Sequence, residues 1–210
     1  MRRGARTIVG GAATFGAVVA VGAWLRTRPA PADEPVVEPA DLSGAAIPLD
    51  RPRASLGATP DAHLVARPDE PPWVRALAGW TPPAPRTRLG RVLAYVWAAP
   101  ATFGGLVVGL LTLRRPRVRD GVLLFADAGG LPGALLARRR FAATTLGHVV
   151  IARADPSPVL MAHELAHTRQ AERLGPLMGP LYWYLLARYG YPRHPMERAA
   201  RIAGRRARGA

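Results

Sequence analysis

Cysteine is absent from the 210 residues, and so is lysine. Without thiols there is no disulfide frame and no thiolate metal site, so any bound metal must be held by histidine, aspartate or glutamate. Without lysine, all 29 basic residues are arginine, against 14 acids, for a formal charge of +15. A composition rich in alanine, arginine and proline reads as the coding bias of a GC-rich bacterial genome, which lowers the weight of that charge as a functional signal. The excess still favours anionic surfaces, membrane lipid above nucleic acid. No basic-aromatic recognition motif occurs, so no specific nucleic-acid partner is expected. No repeat of fixed period is present, which excludes a solenoid. The 22 glycines and 22 prolines argue against a helix-only bundle as well.

Charge is also missing from two long runs. Residues 8–25 hold no charged residue, with Arg2, Arg3 and Arg6 before them and Arg26 and Arg28 after. At 1.5 Å per residue the run reaches about 27 Å, close to the hydrocarbon thickness of a bilayer. We read residues 1–28 as a membrane anchor or signal-like helix; Ala30-Pro31-Ala32 resembles a cleavage site, but two arginines separate it from the apolar run. Residues 29–91, with Pro71-Pro72 and Pro82-Pro83 and no sustained period, are expected to be a largely disordered linker that includes a short helix near Trp73–Leu77. Residues 92–113 form the second uncharged run, long enough to span, and are expected to be a transmembrane helix, with Gly105-Leu106-Val107-Val108-Gly109 offering small-residue spacing for close helix approach. The rival reading is a buried helix of a soluble domain. Nine arginines and eight acids lie within 26–91, against seventeen and six within 114–210, so, with both runs spanning, the positive-inside tendency puts the arginine-rich ends on the cytoplasmic side of a bacterial cell membrane and the linker outside.

Beyond residue 113 the pattern is that of a small α+β domain over 114–204, followed by a basic tail, 205–210. The apolar run 121–126 predicts one strand and the β-branched run 144–152 a second, paired antiparallel. Asp155-Pro156-Ser157-Pro158 then places Ser157 as N-cap and Pro158 at the first helical position, predicting a helix over 158–174.

That helix carries His163-Glu164-Leu165-Ala166-His167. Two histidines four apart share one helical face, so both imidazoles can reach one ion. Glu164, between them, is placed to take a proton from water at an open coordination position. A catalytic zinc needs a third protein ligand. Glu197 is the candidate, in the first turn of a helix that Pro195 should start; His194 competes for the role or only caps that helix. Gln170 shares the histidine face and is placed to orient a ligand. His148 is either an oxyanion stabiliser or a hydrogen-bonded structural residue, and His63, in the linker, carries no signal. The aromatic, proline-containing stretch 174–187 is too short to span; it fits a helix at a membrane interface, a cover over the metal site, or a core helix.

The motif resembles that of the gluzincins, zinc metallopeptidases in which a downstream glutamate joins the two motif histidines. The stretches 145–149, 163–177 and 194–200 are similar to a family of bacterial membrane-associated proteins carrying the HExxH pattern. The resemblance implies a zincin-like core of antiparallel strands, the HExxH helix and a C-terminal helix. It also implies Zn2+ held by His163, His167 and Glu197, Glu164 as general base, and a peptide or protein substrate. The same residues admit a second expectation, a non-catalytic membrane scaffold or regulator stabilised by zinc. Oligomeric state has no signal in the sequence.

Overall fold

The computed structural model describes residues 69–209. The expected anchor at 8–25, the linker as far as residue 68, and His63 lie outside the described residues. The described chain is α+β. It runs α1 (Pro72–Ala78), α2 (Arg88–Leu110), β1 (Arg117–Arg119), β2 (Val122–Phe125), α3 (Gly130–Arg138), β3 (Ala143–Leu146), β4 (Val149–Ala152), α4 (Pro158–Leu174), a 3-10 turn (Gly175–Leu177), α5 (Met178–Arg193) and α6 (Pro195–Arg208).

The four strands form one sheet in the order β1-β2-β4-β3. Two tight hairpins flank it. Asp120 and Gly121, both at positive φ, turn β1 into β2, the backbone that an Asp-Gly pair adopts most readily. Gly147, at φ 60°, turns β3 into β4, where a Cβ would run into Thr102. The expected single strand over 144–152 is therefore two strands, and His148 sits in the turn rather than on a strand. The expected antiparallel pairing of 121–126 with this region is corrected too: β2 pairs with β4 in parallel, Leu123 opposite Val149, because α3 provides the crossover between them. β1 and α3 were not anticipated, since a three-residue Arg-Val-Arg strand and a Gly-Leu-Pro-Gly segment carry no periodic signal.

Alternation sorts the sheet residues. Val122, Leu124, Val150 and Ala152 pack with Met161 and Leu165 of α4 on one face. Phe125, Val149 and Ile151 pack with Leu106 and Val108 of α2 and Leu136 of α3 on the other. Every residue of β4 is buried, as befits a central strand covered on both sides. Among the described residues α2 is the one helix long and apolar enough to cross a membrane by length and composition. Its small-residue stripe does serve close approach, but to the sheet: a Cβ on Gly105 would meet Leu146 and Val149, and one on Gly109 would enter the Phe125 ring.

Residues 69–91, expected as the end of a linker, belong to the domain. Val74 and Ala78 of α1 are buried, and α1 packs against α6. Arg198 of α6 donates from both terminal nitrogens to Glu70, at 2.6 and 2.8 Å, with both residues buried. The partner that closes this contact lies 128 positions away, too far for any local pattern to reveal.

Candidate metal centre

Two helix starts place the site. The Ser157 hydroxyl accepts from the Leu160 amide at 3.2 Å and Pro158 occupies the first turn, so α4 begins where a serine-proline pair dictates. This sets His163 and His167 on the side of α4 that meets α6. Pro195 starts α6, with His194 as its cap and Glu197 in its first turn. Close approach of the two helices depends on small residues: a Cβ on Gly204 would lie 2.9 Å from the Val159 carbonyl.

The result brings together three residues that the sequence singled out. The Nε2 atoms of His163 and His167 lie 3.4 and 3.2 Å from Oε2 and Oε1 of Glu197. One donor atom from each of the three falls within 4.8 Å of the others. Glu197 is buried, and its Oε2 makes no hydrogen bond in spite of having no access to water. Burial alone would raise the Glu197 carboxyl, but the charge of His167 and the polar contacts from both imidazoles hold it well below the usual carboxylate range. For His167 burial pulls downward, yet the Glu197 carboxylate, with smaller contributions from Glu164 and Gln170, raises the imidazole to about 9.

A second ring of groups orients this trio. Gln170 Oε1 accepts from His167 Nδ1 at 3.0 Å, leaving Nε2 aimed at Glu197. The Gln170 amide in turn donates to the carbonyls of Trp80 and Met196, so its own orientation is fixed. Tyr182 of α5 donates its hydroxyl to Glu197 Oε1 at 2.7 Å. Burial, followed by the charge of Glu197, raises the Tyr182 hydroxyl well above its ordinary value, so it stays a donor. α5 thus covers the site, one of the roles open to the 174–187 stretch. No signal short of the fold could have singled out Tyr182 from its neighbours Trp183 and Tyr184.

His194 stands outside the trio. Its Nε2 donates to the Tyr182 carbonyl at 3.0 Å and its Nδ1 faces the Glu197 amide at 3.4 Å, a capping geometry that uses both nitrogens. Burial lowers it to about 4, so it is neutral and keeps an acceptor lone pair for the cap. His148 is also placed elsewhere: its Nε2 pairs with Glu172 at 3.1 Å, its Nδ1 meets the Thr102 hydroxyl at 3.2 Å, and Tyr95 stacks on its ring. Glu172 is further engaged by Arg169. This is the hydrogen-bonded structural role.

Glu164 is buried beside the trio, and its Oε2 accepts from the Thr145 hydroxyl at 2.5 Å. Thr145 lies on β3, the edge of the sheet next to α4. The general-base candidate is therefore tied to the strand along which an extended chain could pair. Thr145 was not anticipated, because a threonine in a β-branched run is ordinary strand composition.

No protein-family model, curated protein or solved structure matches the chain.

Proposed function

We propose that the described domain is a small zincin-like, zinc-dependent hydrolase, a metallopeptidase of the gluzincin type, associated with a membrane. The observation that carries this reading is the Glu197 carboxylate, buried against two imidazole nitrogens with one oxygen that accepts no hydrogen bond. Two donors held about 2.1 Å from a tetrahedral zinc are about 3.4 Å apart; each imidazole reaches a different oxygen of the carboxylate at such a separation, 3.4 and 3.2 Å, and one donor from each of the three residues lies within 4.8 Å of the others. Two imidazoles and one carboxylate suit Zn2+, and three protein ligands leave one position for water or substrate. His163, His167 and Glu197 would hold the ion, with Gln170 and Tyr182 fixing the orientation of two of them.

Zinc so held supplies Lewis acidity toward a carbonyl and makes water more acidic. Glu164 sits one position after the first ligand and accepts the proton that attack on the carbonyl releases, then returns it to the leaving amine. Thr145 keeps that carboxylate pointed by its hydroxyl. The β3 edge offers backbone groups for an extended peptide to pair with, in the manner of strand addition. The apolar α2 helix and the arginine excess support attachment to membrane lipid.

The test is metal content together with turnover. Wild-type protein should retain close to one equivalent of zinc and cleave a denatured-protein substrate. Glu164→Gln should keep the zinc and lose cleavage by roughly a hundredfold or more. His167→Ala should lose both. Zinc retained by Glu164→Gln with cleavage unchanged removes Glu164 from the mechanism. Zinc bound by wild type without cleavage of any peptide favours the structural-zinc reading.

A further inference from the structure

The outer side of α2 is a continuous apolar stripe. Leu89, Leu93, Val96, Phe103, Val107 and Leu110 recur every three to seven residues, and Leu89, Val96, Phe103 and Leu110 are 68, 67, 66 and 64 % exposed. The opposite side, through Ala94, Ala98, Gly105 and Gly109, is buried. Its first half packs on the end of α4, where the Trp97 indole donates to the Arg173 carbonyl at 3.3 Å, and its second half lies on the sheet. The helix is therefore docked on the domain along a narrow buried stripe, with most of its surface exposed. A spanning helix in that position would draw its neighbours into hydrocarbon with it. Those neighbours carry Arg138, Arg153, Glu172 and Arg173, and charged side chains and sheet edges do not reside there.

Charge completes the picture. Between Glu70 and Asp120 there is no acidic residue, and arginine is the only charged type. Arg86, Arg88 and Arg91 lie at the start of α2 and Arg114 and Arg115 just after its end, all exposed. An apolar stripe bracketed at both ends by cations matches a helix lying in the headgroup plane, its apolar side among the acyl chains and its arginines among the phosphates.

We infer that α2 lies flat in an anionic bilayer surface, about 34 Å long by its 23 residues, and holds the domain against the membrane without crossing it. This inference rests on the proposed membrane association and is independent of the metal reading.

The cysteine-free chain allows a direct test. In the full-length protein, Leu89→Cys, Val96→Cys, Phe103→Cys and Leu110→Cys are each nitroxide-labelled and reconstituted in vesicles of phosphatidylcholine and phosphatidylglycerol. Relative accessibility to oxygen and to a water-soluble nickel chelate then gives depth. All four labels should sit at one shallow depth. A depth that is greatest at residues 96 and 103 and falls toward both ends indicates an upright span and overturns the inference. High chelate access throughout does so as well, by showing that the stripe faces water. Low access to both reagents shows the stripe covered by protein, either the uncharged 8–25 run of the same chain or a second copy, and equally overturns it. With phosphatidylcholine alone the labels should become more accessible to the chelate; unchanged depth removes the role assigned to the arginines. Zinc content of the same samples reads the metal centre independently.

Discussion

Arg198 follows Glu197 in the chain and is 1 % exposed, so its charge must be matched within the protein. Glu70 supplies the match through two hydrogen bonds, while the Arg198 Nε finds no partner. Glu70→Ala leaves a buried guanidinium without its carboxylate, a change that costs about 3 to 5 kcal/mol in comparable buried pairs. For a domain of this size each kcal/mol lowers the melting midpoint by about 2 to 4 °C, so a fall of roughly 6 to 20 °C is expected. Circular dichroism melts of the full chain in detergent measure it. Glu70→Gln, which keeps shape and one acceptor, should fall between wild type and Glu70→Ala. The double change Glu70→Met with Arg198→Met removes both buried charges and should recover most of the loss, because an isolated buried charge is worse than an apolar pair. Since Arg198 and Glu197 share the first turn of α6, zinc affinity of Glu70→Ala should fall along with stability. A loss under about 1 kcal/mol for Glu70→Ala would refute the claim that residues 69–91 are an integral part of the domain rather than a linker.

Three further outcomes follow from the geometry. Metal-free protein should be most stable near pH 6.5. His167, raised to about 9, contributes stability that is full below its unfolded value of 6.5 and lost by about 9, whereas His194, lowered to about 4, contributes stability that is full above 6.5 and lost toward 4, about 3 kcal/mol each. Chemical denaturation across that range checks it, and saturating zinc should abolish the alkaline decline, since a ligated imidazole holds no extra proton. Gln170→Ala should weaken zinc binding about 10- to 100-fold by freeing the His167 ring, measured by competition with a chromogenic chelator. Gly147→Ala should cost more than about 1 kcal/mol in unfolding experiments, because it forces a side chain to positive φ against Thr102.

What could be read along the chain was what short-range physics governs. Ser157-Pro158 and His194-Pro195 mark helix starts because a cap and a ring-locked φ act within one turn. The four-residue spacing of His163 and His167 puts them on one side of a helix whatever surrounds it, and the lone acidic residue in the first turn of α6 made Glu197 the natural third member. Long-range contacts were beyond such rules. The parallel β2–β4 pairing depends on a crossover through α3, whose Gly-Leu-Pro-Gly start has no helical period. The recruitment of residues 69–91 depends on Glu70 meeting Arg198. Thr145 and Tyr182 reach Glu164 and Glu197 only once sheet edge and covering helix are in place. The uncharged run at 92–113 showed in sequence only that one helix is apolar enough for lipid. Tertiary packing decided that one side of it is sealed against sheet and α4, because glycine and alanine at 94, 98, 105 and 109 let those surfaces come close enough to exclude solvent.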